Sequence, residues 1–145
     1  MGDLRFYVDE SLMGLGKALS SARTDTVYPS HPRFPQVRLG AEDEQWIPIV
    51  ATAGLIAIIR DRKVFTRWWE NDLIIRHRLR LIHIAVKRDL SNWENLRLLV
   101  RHWDRIEEVV ERDEPPPWRL KVLQNGVELV PVAATKVTGK RPVRG

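Results

Sequence analysis

The segment LIAIIRD, residues 55–61, limits the possible folds more than any other part of this chain. Side chains along a strand alternate between two faces, so an unbroken apolar run cannot leave either face in water. Such a run belongs in the middle of a parallel sheet covered on both sides, and the charged residues after Ile59 stop it. Parallel neighbours need crossover helices, and the rest of the chain supplies the pattern for them.

Leu4 to Val8 has the composition of a first strand. Leu12, Leu15, Ala18 and Leu19 then recur at helical spacing, predicting an amphipathic helix that ends near Ser20–Ser21. A brief strand at Thr26–Tyr28 precedes three prolines that forbid regular structure. A helix is expected from Asp43 to Thr52 with Trp46, Ile47 and Val50 on one face. Pro48 must sit in its first turn or bend it. Gly54 punctuates before the central strand. RWWENDLIIRHRLR predicts another helix and LRLIHIAV another strand. Ser91 and Glu94 form a capping box ahead of a long helix, in which Leu96, Leu99, Val100, Trp103, Ile106 and Val110 repeat at helical period. That stripe can serve a homodimer interface as well as a core. PPPW ends the helix, and Asn125–Gly126 centres a hairpin in RLKVLQNGVELVPV.

Strands alternating with helices predict an α/β domain over residues 1–132, with a largely parallel sheet and a small C-terminal hairpin. Residues 133–145 form a basic tail, expected to be disordered. From Ala134 onward it carries Lys136, Lys140, Arg141 and Arg144 and no acid. It can contact RNA, DNA or an acidic partner, or simply solubilise the chain end. The absence of cysteine rules out thiol catalysis, a disulfide scaffold and a cysteine-ligated zinc site. No apolar run approaches the ~20 residues of a membrane span, and no signal peptide is visible, so a soluble cytoplasmic protein with no membrane partner is expected. The net charge of +5 favours a polyanionic partner.

Function is expected at the carboxyl ends of the strands, where open α/β folds place their crevice. Asp9 follows the first strand, Asp61 follows the central strand, and Asp43 opens the helix that leads into the central strand. All three fall at one predicted edge. Crowded carboxylates repel and raise one another's pKa, and a hard divalent cation such as Mg²⁺ or Mn²⁺ relieves that conflict. Each acid also has an ordinary structural role open to it, as a helix cap, a turn former or a partner of a helix dipole. Around Asp61, the side chains of Arg60, Arg62, Lys63 and Arg67 offer a phosphate-binding rim. Trp68 and Trp69 follow, and an exposed one can stack a base, while packing of at least one in the core is expected. His31, His77, His83 and His102 show no ligand spacing, and His83 is expected to be structural.

The blocks FYVDES with GLGKAL, GAEDEQWIPIVATAGLIAIIRDRKVF, and DLSNWENLRLLVRHWDRIE resemble a PIN-like domain, in the compact bacterial branch that includes VapC-type toxins. The resemblance spans roughly residues 4 to 123 and implies a three-layer α/β/α fold. It implies a metal-dependent endoribonuclease with Asp9, Asp43 and Asp61 as catalytic metal ligands for Mg²⁺ or Mn²⁺. Glu10 and Glu44 would stand behind them, and the partners would be RNA and a cognate antitoxin protein. Many relatives have a further acid where this chain has Lys63. A fourth carboxylate, common in larger members, has only Asp89 and Asp104 as candidates. Two other readings stand beside this one. One is a catalytically weak PIN-like module that binds RNA or protein. The other is a receiver-like or phosphate-metabolising α/β protein, which the chain does not match in strand-end Thr/Ser and Lys residues.

Overall fold

The computed structural model describes residues 3–60 and 67–132. Asp61, Arg62, Lys63 and the tail from 133 to 145 lie outside the described residues. In chain order the elements are β1 (Phe6–Val8), a 3-10 turn (Glu10–Leu12), α1 (Met13–Ala22), β2 (Thr26–Val27), α2 (Asp43–Thr52) and β3 (Ile56–Ile59). They continue with α3 (Trp68–His77), β4 (Arg80–Ile84), α4 (Asn92–Glu111), β5 (Trp118–Leu123) and β6 (Gly126–Pro131).

The six strands form one sheet in the order β2-β1-β3-β4-β5-β6. All neighbours are parallel except β5 and β6, which make the hairpin. The hairpin is continuous with the sheet, because β5 pairs with β4 along five residue pairs from Arg80↔Trp118 to Ile84↔Val122. Its turn falls at Gln124–Asn125, since Leu123 pairs directly with Gly126.

Strand alternation sorts the core into two halves. Phe6, Val8, Ile56, Ile58, Ile82 and Ile84 face α1 and α4. Tyr7, Ala57, Ile59 and Leu81 face α2 and α3. This is the three-layer α/β/α arrangement expected from the unbroken apolar run in β3, all of whose residues are buried. Gly16 lets α1 approach the sheet closely: a Cβ there would stand 3.2 Å from the Cβ atoms of Val8 and Tyr28. The proline-rich segment after β2 also feeds the core through Phe34 and Val37, although it forms no regular element.

The connections set where a site can form. The chain steps from β1 through α1 to β2 on one side, then crosses over the opposite face through α2 to β3 on the other side of β1. This reversal leaves a crevice at the carboxyl end of β1. The step from β4 to β5 continues in the direction of β3 to β4, yet its helix lies on the face of α1. That crossover is therefore opposite in hand to the ones through α2 and α3, an arrangement parallel crossovers rarely adopt. It leaves Arg119 and Lys121 of β5 half-exposed on the face that α2 and α3 cover elsewhere.

Helix α4 starts at the expected capping box, with Ser91 Oγ accepting from Glu94 N–H at 3.1 Å and Glu94 accepting from Ser91 N–H at 3.2 Å. Its buried face is Asn95, Leu98, Leu99, His102, Ile106 and Val109, rotated from the expected stripe. Val100 points outward. Two polar residues share the buried face, and His102 Nε2 lies 3.3 Å from the Gln124 carbonyl of the hairpin turn. Trp103 packs within the chain, edge-on to Phe6 at 5.2 Å and with the Arg23 guanidinium over its ring at 4.7 Å. In α3 the buried positions are Glu70, Asn71, Leu73 and Ile74, so neither Trp68 nor Trp69 is a core residue.

An ion-pair network fastens α4 to the amino ends of the strands. Arg5 donates to both Glu107 oxygens at 3.1 and 2.7 Å, and Arg23 donates to both Asp25 oxygens at 2.9 and 2.8 Å. Burial pushes the Asp25 carboxyl up, but the hydrogen bonds and charge of Arg23, with Thr26 and Arg5, bring it below its ordinary value. A carboxylate held low stabilises the fold above its unfolded-state pKa and loses that contribution as pH falls through its folded value. Asp25→Asn is expected to reduce stability by about 1–3 kcal/mol at neutral pH in urea titrations. The gap to wild type should close on acidification through that depressed value.

Candidate metal-dependent active site

Asp9 leaves β1 at the reversal in strand order. Its backbone N–H continues the ladder to the Ile58 carbonyl at 3.0 Å, which fixes the acid beside the end of β3. Its side chain caps the following 3-10 turn, accepting from Ser11 N–H at 3.3 Å and from Ser11 Oγ–H at 2.7 Å. Asp43 is the first residue of α2. The capping box of that helix belongs to Glu42 and Gln45, which leaves Asp43 free of the capping role. Asp43 Oδ1 instead accepts from Trp46 Nε1–H at 2.8 Å, one turn further along. Pro48 sits in the middle of α2, beyond the first turn, and removes the backbone bond to Glu44.

Asp9 and Asp43 line one polar cleft of about 320 Å³, together with Tyr7, Glu10, Ser11, Arg38 and Trp46. The Tyr7 ring forms the floor, stacked on Trp46 at 5.4 Å and edge-on to Phe34 at 6.2 Å. Burial raises the Tyr7 phenol, and the charges of Asp9, Glu10 and Asp43 raise it further, so it stays protonated. The convergence of three acids on one phenol marks the cleft as electronegative. The Asp9 carboxyl is itself raised, first by burial and then by Asp43, against the opposing hydrogen bonds from Ser11.

Among the described residues, the other expected site residues only partly gather at the cleft. Glu10 lines the cleft, but its carboxylate accepts from Gly40 N–H at 2.7 Å, where the chain takes φ = +84°. This bond ties the loop bearing Arg38 and Ala41 to the end of β1. Glu44 differs from expectation. Adjacent residues on a helix point about 100° apart, and Glu44 lines a small hollow against Trp68, Trp69, Asp72 and Arg76 of α3. Arg60 reaches away to the loop after β4, donating to the Val86 carbonyl at 3.2 Å and to the Arg88 carbonyl. Arg67 pairs with Glu70 at 2.9 Å. Asp89 and Asp104 are exposed and line no part of the cleft, and His83 is buried in β4.

Two residues escaped the sequence reading. Arg38 stands in the cleft and makes no ion pair among the described residues. The proline-rich run concealed it, because nothing local predicts how such a loop returns over β1. Glu70 is only 5% exposed, and its Oε2 has no hydrogen-bond partner among the described residues. Its place in a charged helix start gave no sign of burial.

A family model described as a PIN-like domain matches residues 4–86, more than half of the chain. The chain belongs to the PIN-like domain family. PIN domains are generally nucleases, act on nucleic acids and are typically dependent on divalent metal. The matched segment of this PIN-like domain includes β1 through β4 and both cleft aspartates, whereas α4 and the hairpin lie beyond it. No curated protein and no solved structure matches the chain. No described helix is long and apolar enough to cross a membrane.

The donors present suit a hard cation. Asp9 and Asp43 offer only oxygen, and Mg²⁺ commonly binds one or two carboxylates and completes its shell with water and substrate phosphate. Among the described residues, no three His, Cys, Asp or Glu side chains form a metal-holding group. A carboxyl with a raised pKa holds its proton more tightly in the folded state, so stability falls as pH rises through the window between its ordinary and raised values. Asp9→Asn keeps a cap acceptor and removes the strained charge. It is expected to raise Tm at neutral pH in a chelator, whereas Asp9→Ala should lower stability by about 1 kcal/mol through loss of the cap. A fall in Tm for Asp9→Asn would show that the charge stabilises the cleft.

Proposed function

We propose that this PIN-like protein is a metal-dependent endoribonuclease that hydrolyses RNA phosphodiesters, and that it is the toxin of a toxin–antitoxin pair. The observation that carries the nuclease reading is the meeting of Asp9 and Asp43 in one cleft, where Asp43 raises the Asp9 carboxyl and both raise Tyr7. Asp9 and Asp43, joined by Asp61, would hold Mg²⁺ or Mn²⁺. The bound ion would lower the pKa of a water and neutralise charge on the phosphate.

The chain's own groups do the positioning. Ser11 aims the Asp9 carboxylate and the Trp46 indole N–H aims that of Asp43. Arg38 offers a guanidinium to a phosphate entering the cleft. Glu10 keeps the Arg38 loop in place through Gly40. Arg62 and Lys63, adjacent to Asp61 in sequence, would add phosphate contacts, whereas Arg60 and Arg67 are engaged by the Val86 carbonyl and by Glu70. Trp68, 41% exposed, offers a stacking face for a base. An antitoxin would act by covering the acidic cleft.

One observation favours the second reading, a PIN-like module that binds without cutting. Both described aspartates already make a structural hydrogen bond, one as a cap and one to an indole. Cleavage of single-stranded RNA with Mn²⁺ or Mg²⁺ decides between them. Wild type should cut and a chelator should stop it. Ser11→Ala is expected to lower the rate by about 10–100-fold, as outer-shell partners do, and Asp9→Asn, Asp43→Asn and Asp61→Asn by more. Arg38→Ala should raise KM. If wild type and all aspartate variants bind RNA equally and none cuts, the binding module is the correct reading.

A further inference from the structure

Beyond the matched segment, a groove of about 360 Å³ opens between the amino-terminal half of α4, the loop after β4 and the hairpin turn. Arg88, Arg97 and Arg101 line it. Glu94 offsets only one of them, through its ion pair with Arg88 at 2.6 Å. Arg97 and Arg101 stand one helical turn apart, exposed, and form no ion pair among the described residues. One turn before Arg97, Trp93 is 65% exposed, the most exposed large apolar side chain among the described residues.

Helix stability does not account for this pattern. Cations favour the carboxyl end of a helix dipole, yet the last turn of α4 has no basic residue, and Arg97 and Arg101 lie in its first half. Core packing does not account for Trp93 either. Convergent guanidinium groups beside an exposed indole are, however, what a single-stranded nucleic acid needs: point contacts for phosphates and a flat face for a base.

The groove and the cleft share no lining residue, but two contacts tie the segments around them together. Asn92, next to Trp93, packs against Gly14 in the first turn of α1, shortly after the Asp9 cap; a Cβ on Gly14 would stand 2.1 Å from Asn92 Nδ2. Arg60, at the end of β3, clasps the carbonyls of Val86 and Arg88 and so holds the Arg88 loop beside the carboxyl edge of the sheet. We propose that this groove on α4 is a second binding site for the substrate strand, with Arg97 and Arg101 taking phosphates and Trp93 stacking a base of single-stranded RNA away from the cleaved bond. The proposal rests on the nuclease reading for the identity of the ligand, and its test does not require cleavage.

The test is binding of a fluorescent single-stranded RNA oligonucleotide by the full chain in chelator, measured by anisotropy across a salt series. The double variant Arg97→Gln/Arg101→Gln should bind more weakly, with the slope of log K against log salt shallower by about 1.4, two contacts at about 0.7 each. Trp93→Ala should weaken binding about fivefold or more and leave the slope unchanged. All three positions are exposed, and unchanged circular dichroism checks the fold. If both variants bind like wild type while metal-dependent cleavage is intact, the groove proposal falls and the nuclease reading stands. If both bind weakly and wild type cuts nothing, the nuclease reading falls and the groove stands. Loss of binding to an acidic peptide with RNA binding unchanged would assign the groove to a protein partner and overturn the proposal.

Discussion

The reversal of strand order around β1 is the constraint from which the candidate site follows. The first crossover goes one way and the second goes the other, over opposite faces. No described helix covers the carboxyl end of β1, so a polar residue there is only half-buried, beside a cleft, while its neighbours Tyr7 and Val8 are sealed in the two halves of the core. Asp9 occupies that position. The amino end of α2 returns to the same place because α2 must run back along the sheet before β3 can start. The two acids are thus brought together by backbone topology, and the side chains only refine their orientation.

Structural and chemical roles coexist at these acids. A cap bond uses one oxygen of Asp9, and an indole bond uses one oxygen of Asp43. A carboxylate can accept at both oxygens, so a cap bond through one oxygen does not by itself exhaust Asp9. The fold also tolerates an unfavourable charge here, since the Asp9 carboxyl is raised by burial and by its neighbour. Strain of this kind is common where a site is prepared for something that the protein alone does not provide.

Much of the architecture was legible in the chain. The bounds of α2, the capping box of α4 and the parallel surroundings of β3 follow from local patterns of apolar residues, caps and charge. The expected edge for Asp9 and Asp43 follows from the same patterns. What was not legible depends on distant parts of the chain. The fate of Glu44 turns on 100° of helix rotation against α3, Arg60 is claimed by carbonyls far along the sequence, and Arg38 arrives through a loop with no periodicity. The outward turn of Val100 reflects a buried face that accepts Asn95 and His102, polar residues that an apolar stripe passes over. The hand of the crossover through α4 has no local signature at all.

The two outer strands of the sheet bear on how molecules of this protein meet. β2 is two residues long, and β6, at the far side, carries an exposed Glu128 and ends in Pro131, which has no N–H to donate. Backbone pairing between copies finds little purchase at either margin, a common safeguard against strand-by-strand aggregation. Self-association at high concentration should therefore proceed through side-chain surfaces, leaving the hydrogen-bond ladder of each molecule closed on itself.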